Sequence, residues 1–437
     1  MPRVQPFRGV RFTAPASELD RLVSPPYDVI SPDEQAQLRE LSRHNAVYVE
    51  LPQDAPGEPG SRHRQAAEIL GEWRRDGVLR PDPRPAYYLS ETQFTYSDET
   101  LRRRDLLAAV VVEPWSTGAV LPHEHTMAGP KADRLDLLRA THLNASPIWL
   151  LHREQLAGLE QAWAATEDSP PTVEFAWRGE QHRLWVVDDP TTVDAVQAAF
   201  ASGGPLYIAD GHHRYETSLA FAQEVSSDVP GAGATLATLT WAEDPGLLAL
   251  PTHRLLRGLD PSLTLEEAEG RWSEVFHGEY YPIWEGAPAE QIDAMVQQLA
   301  SSGRSAPSFG LYGLGHLDLF GVLEVRGRKV PDGLFPADRS TAWKSLDVSV
   351  LHSMLVDPLV AETGRPREEI LSYIRDPQLA VRAVRDGQAS VAFLMNPTPI
   401  SGVLAVADAH DRMPEKSTYF HPKPPAGLVM RDLELES

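Results

Sequence analysis

A mixed α/β fold is predicted by three features of the sequence. Short β-branched and aromatic runs alternate with stretches of helical period, the Pro- and Gly-rich breaks between them are brief, and no internal repeat is apparent. The chain has 437 residues, 42% of them hydrophobic and 23% charged, enough apolar material for a large core and two or three packed subdomains. The expected subdivision of this single unit is 1–150, 151–260 and 261–437.

The elements follow in order. "AYYLSETQFTY" (Ala86–Tyr96) and "LLAAVVVEPW" (Leu106–Trp115) are strands by their aromatic and β-branched content. "PKADRLDLLRATHL" (Pro130–Leu143) is a helix, because Pro130 suits a first turn and Leu135, Leu138 and His142 recur at spacings of three and four. "HRLWVVDD", "PLYIAD" and "GATLATLTW" are strands; "PTTVDAVQAAFAS", "TLEEAEGRWSEVF" and "AEQIDAMVQQLASS" are helices. The remainder offers a strand at "FGVLEVRG", a helix at "SLDVSVLHSMLVDPLVAE" and a late strand at "SVAFLMNP". In that last helix Val350, Leu351 and Met354 are expected inside, with His352 a packed or surface histidine.

Composition excludes several classes. A formal charge of −22 disfavours a general polyanion-binding surface, because such surfaces gain affinity by releasing counterions to Lys and Arg. No nucleic-acid partner is expected. The start "MPRVQPFRGVRF" lacks a signal-like apolar stretch and no run is long enough to cross a bilayer, so a cytoplasmic protein without a membrane partner is expected. With no Cys, any nucleophile is oxygen or nitrogen, or comes from the substrate.

The chemistry concentrates in "PLYIADGHHRYETSLAFA". Leu206–Ala209 is the strand with Asp210 at its carboxyl end, and Tyr215, Leu219 and Ala222 share one face of the helix that follows. Gly211 permits a tight turn and close approach of a ligand, which leaves His212, His213 and Arg214 in the first helical turn. The free amides there, together with the Arg214 fork, make a phosphate cradle. His212 or His213 could donate a bond or exchange a proton, and Asp210 could hold a magnesium water or orient an imidazole. An Asp-Gly pair before a helix is by itself a common N-cap, with Arg214 then paired to Glu216 or Glu224. Four polar residues in succession after an apolar strand favour the ligand site, since ligands gather at the carboxyl ends of strands in α/β sheets.

Three further segments carry candidates. In "LPHEHTMAGPKADRLDLL", Lys131 and Arg134 lie one turn apart and could face one ligand, while Glu124 could act as a general base or a cation ligand. His123 and His125 alternate as a metal pair would, but no third ligand is identifiable. "SPPYDVIS" stiffens the approach to Tyr27 and Asp28, which could hold the pair at a site, although such a segment is more often a turn capped by Asp. In "MPEKSTYFHPKPP", Lys416 and Ser417 could be carried to an anion by a lid.

The ordered set "PFRGVRF", "PPYDVI", "GPKADRL", "ADGHHRYETSLAF", "LDVSVLH" and "MPEKSTYFHPK" resembles the bacterial and archaeal family known as domain of unknown function 1015, over nearly the whole chain. The "DGHHR" turn is also similar to the signature of the ParB and sulfiredoxin superfamily, which includes CTP-hydrolysing partition proteins, ATP-using sulfiredoxins and free-serine kinases. This resemblance implies a ParB/sulfiredoxin-like nucleotide-binding core elaborated by further α/β parts. It implies phosphate contacts from Gly211, His212, His213 and Arg214, with Asp210 near the reacting group or its Mg ion. The catalytic Cys of sulfiredoxin has no counterpart here, and no helix-turn-helix for DNA clamping is recognisable.

The expected function is therefore a phosphotransferase using ATP, ADP or another nucleotide with Mg2+, acting on a small hydroxyl metabolite such as free serine. Arg214 and the amides after Gly211 would hold the transferred phosphate, and Lys131 and Arg134 would neutralise charge in the transition state. The base would be Asp210, with Glu124 second. Two alternatives stand beside it: a nucleotide-binding regulatory protein or slow NTPase without an acceptor, and a metal-dependent hydrolase built on His123, His125 and Asp210.

Overall fold

Alternation along two long strands sets the first layer of the structure, a computed structural model that describes residues 1–126, 128–167, 169–225, 228–284 and 289–435. Tyr87–Tyr96 and Glu99–Val111 pair antiparallel around Ser97 and Asp98, both at positive φ, the geometry of a two-residue hairpin turn. Tyr87, Leu89, Leu106, Ala108 and Val110 enter one core, while Tyr88, Leu107 and Ala109 enter the core on the opposite face. Both faces being covered explains the unbroken apolar run "LLAAVVV". The second strand begins at Glu99 rather than Leu106, because the hairpin carries the charged "RRRD" into the sheet.

The fold is mixed α/β, and the chain divides into two compact units. The first comprises Met1–Leu248 with Pro422–Ser437, the second Ala249–His421. Residue 150 falls within the Ile148–His152 strand, and residue 260 precedes the Leu265–Trp272 helix.

In the first unit the central sheet runs Val120–Leu121, Leu206–Asp210, Ile148–His152, Ala234–Trp241, Glu99–Val111, Tyr87–Tyr96, Glu180–Val187, Val173–Trp177, with Val4–Gln5 beside Glu99–Val111. Leu206–Asp210 is parallel to Val120–Leu121, and Ala234–Trp241 is parallel to Ile148–His152; the other pairings are antiparallel. Helices Ala157–Ala164, Pro190–Ser202 and His212–Val225 send Leu159, Trp163, Val196, Phe200 and Tyr215 into one core. Helix Arg62–Arg75 sends Leu70 and Trp73 into the other.

Gly158 makes the packing of two of these helices possible. A Cβ there would come within 2.8 Å of the Ala195 carbonyl carbon, backbone that has no room to retreat. Gly158→Ala should therefore cost about 1–3 kcal/mol by overpacking, despite alanine's better helix propensity. A thermal melt with an unchanged midpoint would contradict this contact.

The chain returns to the first unit through a small sheet in which Met430–Asp432 lies between Gly9–Phe12 and Leu143–Asn144. Ser24 and Ala426 exchange backbone bonds of 3.1 and 2.8 Å, and the Gly427 amide donates to the Ala145 carbonyl at 2.9 Å. These bonds fix the course of the returning segment just after Lys423.

The second unit is built on an antiparallel sheet ordered Phe276–Pro282, His316–Val325, Ser308–Gly313, Val391–Met395, His253–Leu256, Leu371–Ile374. Helices Ala289–Ser302 and Pro377–Arg385 cover it through Ile292, Leu299, Val381 and Val384. The helix expected over "TLEEAEGRWSEVF" ends at Trp272, and Phe276 opens a strand instead; its start is set by a capping box between Thr264 and Glu267. The "SLDVSVLHSMLVDPLVAE" stretch is helical from Asp347 to Glu362, with a π-helical turn at His352–Val356. Val350, Leu351 and His352 are buried and Met354 is half-buried.

Candidate functional site

The change of hydrophobic period at Gly211 is realised as a strand, Leu206–Asp210, followed at once by a helix, His212–Val225. Gly211 has φ of 94°, and a Cβ there would meet Arg214 Nε at 3.1 Å. The glycine thus lets the guanidinium fold back over the turn. Arg214 Nη2 donates to Asp210 Oδ2 at 2.7 Å, and Nη1 donates to Ser146 Oγ at 2.9 Å and to the Pro147 carbonyl. Its Nε is buried and meets no hydrogen-bond partner among the described residues.

Asp210 carries a second cation. Lys423 Nζ donates to Asp210 Oδ1 at 2.6 Å and to Asp28 Oδ2 at 2.8 Å, so one ammonium bridges two carboxylates. Burial works against the charge on Lys423, yet Asp210 and Asp28 outweigh it and hold the lysine pKa above its usual range. The same balance raises Arg214: burial opposes its charge, and Asp210, Asp28 and Glu50 together prevail.

Behind Arg214 lies a third carboxylate. Glu50 Oε1 accepts from Ser146 Oγ at 2.7 Å and from the Tyr27 amide at 3.2 Å. Pro25 and Pro26 lead directly into the short Tyr27–Val29 turn, where the Arg134 guanidinium lies 4.3 Å from the centre of the Tyr27 ring. Burial raises the Tyr27 pKa against the lowering influence of Arg214 and Arg134. A cavity of about 50 Å³ is lined by Glu50, Ser146, Arg214, Arg134, Thr217 and Ser218, among others. The site therefore offers hydroxyls, two guanidinium groups and a carboxylate around a small space that Leu137, Leu138, Leu143 and Ile148 also line.

A family model described as "Protein of unknown function (DUF1015)" matches residues 4–349. The chain belongs to the DUF1015 family. No curated protein matches it. Among solved structures, a conserved hypothetical protein from Pyrococcus furiosus is 13% identical, with 72% of this chain and 93% of that one covered and a TM-score of 0.34. A mutant free serine kinase in complex with AMP is 11% identical over 69% of this chain and 84% of that one, with a TM-score of 0.35. SbnI from Staphylococcus aureus, truncated at its C-terminus, is 11% identical over 74% and 81%, with a TM-score of 0.33. Similarities of that size do not bear on what this chain does.

In this DUF1015 chain Asp210, Gly211 and Arg214 meet at one turn, and the other expected residues distribute around it. His212 is buried, and its Nε2 accepts from the His123 and Glu124 amides at 3.2 and 3.3 Å, so the ring holds the "HEH" loop against the helix. His213 is half-buried beside it and Glu124 half-buried in the loop. Lys131 donates to Glu216 Oε2 at 2.8 Å; burial would raise the Glu216 pKa, but Lys131 and Thr126 bring it below the usual value. Arg134 turns instead to Asp133 and to the Glu50 carbonyl, at 2.6 Å for the latter. Lys131 and Arg134 thus engage different partners. Arg214 pairs with Asp210, and not with Glu216 or Glu224 as the capping alternative supposed; Glu224 is taken by Arg139.

Lys416 and Ser417 are held within the second unit, where Ser417 is buried and its carbonyl accepts from Thr398 Oγ1 at 3.0 Å, while the Lys416 carbonyl accepts from Arg254 at 3.2 Å. The lysine of that Pro-bounded loop that bonds Asp210 is Lys423. The expectation that needs correction is the His123, His125 and Asp210 metal site: among the described residues no group of three or more His, Asp or Glu side chains could hold a metal ion.

Sequence reasoning missed Glu50, Ser146 and Lys423, and took Asp28 for a turn cap. A signal for Glu50 was present, a lone acid inside the apolar run "AVYVELP". Among the described residues no helix is long and apolar enough to cross a membrane.

Proposed function

We propose that this DUF1015-family chain is a nucleotide- and Mg2+-dependent phosphotransferase whose acceptor is a small hydroxyl metabolite, with free serine the first to test. The supporting observation is the convergence of Arg214 and Lys423 on Asp210 at a glycine turn that opens a helix. The start of a helix and two cations together favour an anionic oxygen there. The similarity of "DGHHR" to the ParB and sulfiredoxin signature supports the same reading.

The donor set fits magnesium. Mg2+ is commonly held by one or two carboxylates with substrate phosphates and water, and Asp28 and Asp210 already point at one cationic group, the Lys423 ammonium. When bound, the ion would neutralise charge on the phosphate oxygens. Arg214, His213 and the first-turn amides would orient the phosphate, and Lys423 would follow the charge it leaves. The acceptor hydroxyl would attack the terminal phosphorus, breaking the bond to the departing nucleotide, and its proton would pass to a carboxylate.

Among the carboxylates, Asp210 bonds a cation through each oxygen, Arg214 on one and Lys423 on the other. The Glu50 carboxylate bonds the neutral Ser146 hydroxyl and Tyr27 amide and lines the cavity with Arg214, a position that suits it to take the proton; Glu124 remains second. Glu50→Gln should keep nucleotide binding and lose at least 100-fold in transfer rate. The assay is a thermal-shift panel of nucleotides with Mg2+, followed by phosphorus NMR with serine and other hydroxyl acceptors. A Glu50→Gln variant with wild-type turnover would remove Glu50 from the mechanism.

The size of the cavity favours a second reading. At about 50 Å³ it is well below the roughly 300 Å³ at which small-molecule pockets begin. A nucleotide-binding regulatory protein needs no acceptor space, and stabilisation by nucleotide without acceptor-dependent transfer would select it.

A further inference from the structure

A larger cavity, of about 310 Å³, opens at the far end of the same central sheet. Strand Ile148–His152 starts beside Ser146 and Pro147, which bond Arg214, and ends at His152, which lines this cavity. Four residue steps separate the strand's ends, about 13 Å at the usual strand rise. The two spaces are thus distinct.

Its chemistry differs from that of the phosphate turn. His152 is 4% exposed; its Nδ1 bonds the Glu154 carbonyl at 2.7 Å, so Nδ1 carries the proton and Nε2 is left as an acceptor. That Nε2 is buried and meets no partner among the described residues, an arrangement that costs free energy unless a donor arrives. Trp241 is the register partner of His152 on the neighbouring strand, half-buried, with its Nε1 held by the Arg153 carbonyl at 3.1 Å. Trp163 closes the wall, with the Arg104 guanidinium 5.1 Å from its ring centre. Asp244 and Glu160 add further acceptors to the lining.

We propose that this cavity is a second ligand site, for a flat heteroaromatic base that carries N–H donors, such as an amino-purine or amino-pyrimidine ring. Its volume lies within the range of small-molecule pockets. The Trp241 indole supplies a stacking surface and His152 Nε2 the acceptor that selects N–H over a bare ring edge. Phosphate has no role in this selection, so the site stands independently of the proposed phosphotransfer.

The test is calorimetric titration of the full chain with adenine, cytosine and caffeine, the last a flat heterocycle without N–H donors. Adenine or cytosine should bind saturably at one site, and caffeine at least 10-fold more weakly. His152→Phe, which keeps a ring edge-on to Phe200, should weaken binding at least 10-fold, and Trp241→Leu at the half-buried wall should do the same. Arg214→Lys should leave binding unchanged, which separates this cavity from the phosphate turn. No saturation with either base up to 10 mM, caffeine binding as tightly as the bases, or wild-type affinity in both cavity variants would overturn the proposal. Loss of affinity in Arg214→Lys alone would assign the base to the other site and overturn it equally.

Discussion

Lys423→Met should lower the thermal midpoint of the first unit by roughly 10 °C and remove its stabilisation by nucleotide. The ammonium is nearly enclosed, its side chain 9% exposed, and its two bonds go to Asp210 and Asp28. Methionine fills similar space, so the effect reports on charge rather than volume. Removing one partner of a buried ion pair costs about 3–5 kcal/mol because the other charge is stranded. Asp28 is 35% exposed and screened by water, so Asp210 carries most of that cost and the lower end applies. At about 2–4 °C per kcal/mol for a unit of this size, the shift is on the order of 10 °C.

A double-mutant cycle isolates the contact. Lys423→Met and Asp210→Asn should be less than additive by at least about 1 kcal/mol, whereas independent sites add within about 0.5 kcal/mol. The sign with pH is also fixed. A lysine whose folded pKa is raised contributes fully below its unfolded value near 10.5 and loses that contribution only as pH rises through the higher folded value. The difference between wild type and Lys423→Met should therefore stay flat from pH 7 to about 10. Additive variants, or a difference that vanishes by pH 8, would show that this bridge does not form.

The strand-turn-helix that carries Asp210 and Arg214 was legible because its signal is local. Hydrophobic period changes at Gly211, and every residue that shapes the turn lies within a few positions of it. What completes the site is not local at all. Lys423 is 213 positions from Asp210 and 395 from Asp28, and such a pairing leaves no trace in spacing or propensity. "MPEKSTYFHPK" offered three cations in similar company, and only the division of the chain after His421 decides which unit receives each. That the returning segment packs between Ser24 and Ala145 follows from backbone bonds that any residue could make.

The rule about strand carboxyl ends pointed to this turn for a weaker reason than expected. It belongs to parallel sheets, and Leu206–Asp210 has just one parallel neighbour, the short Val120–Leu121 strand, beside the antiparallel Ile148–His152. What gives this turn its chemistry is the positive φ at Gly211 and the guanidinium folded over it. The "RRRD" run shows the converse case. Arg103 and Asp105 within it are fully buried in a strand and bonded to each other at 2.9 Å, a pairing that composition cannot distinguish from solvation.

Acid should unfold the second unit first, with stability falling as pH drops from about 6.5 towards 4. His253 and His352 are buried there, and both have pKa values lowered to about 4. For His253 burial is the main cause, aided by Arg254; for His352 burial again leads, with Asp357 opposing and Arg254 aiding. A base with a depressed folded pKa binds fewer protons folded than unfolded, so stability rises with pH across that window and is lost on acidification. From a reference of 6.5, each ring accounts for about 3 kcal/mol by pH 4. Asp347 works the other way. Burial raises its carboxyl to about 6, so acidification relieves a penalty of about 3 kcal/mol over nearly the same range. Two histidines outweigh one aspartate, leaving a net loss of about 3 kcal/mol for the unit. His352→Gln would withdraw one ring and should nearly flatten the profile, because its remaining partner is then balanced by Asp347. Hydrogen exchange at pH 7, 5.5 and 4.5 would resolve the strands of this unit, Val391–Met395 above all, whose Met395 amide donates to His253 Nδ1 at 3.1 Å. Protection there that holds constant down to pH 4.5 would mean that neither histidine is kept neutral by its burial.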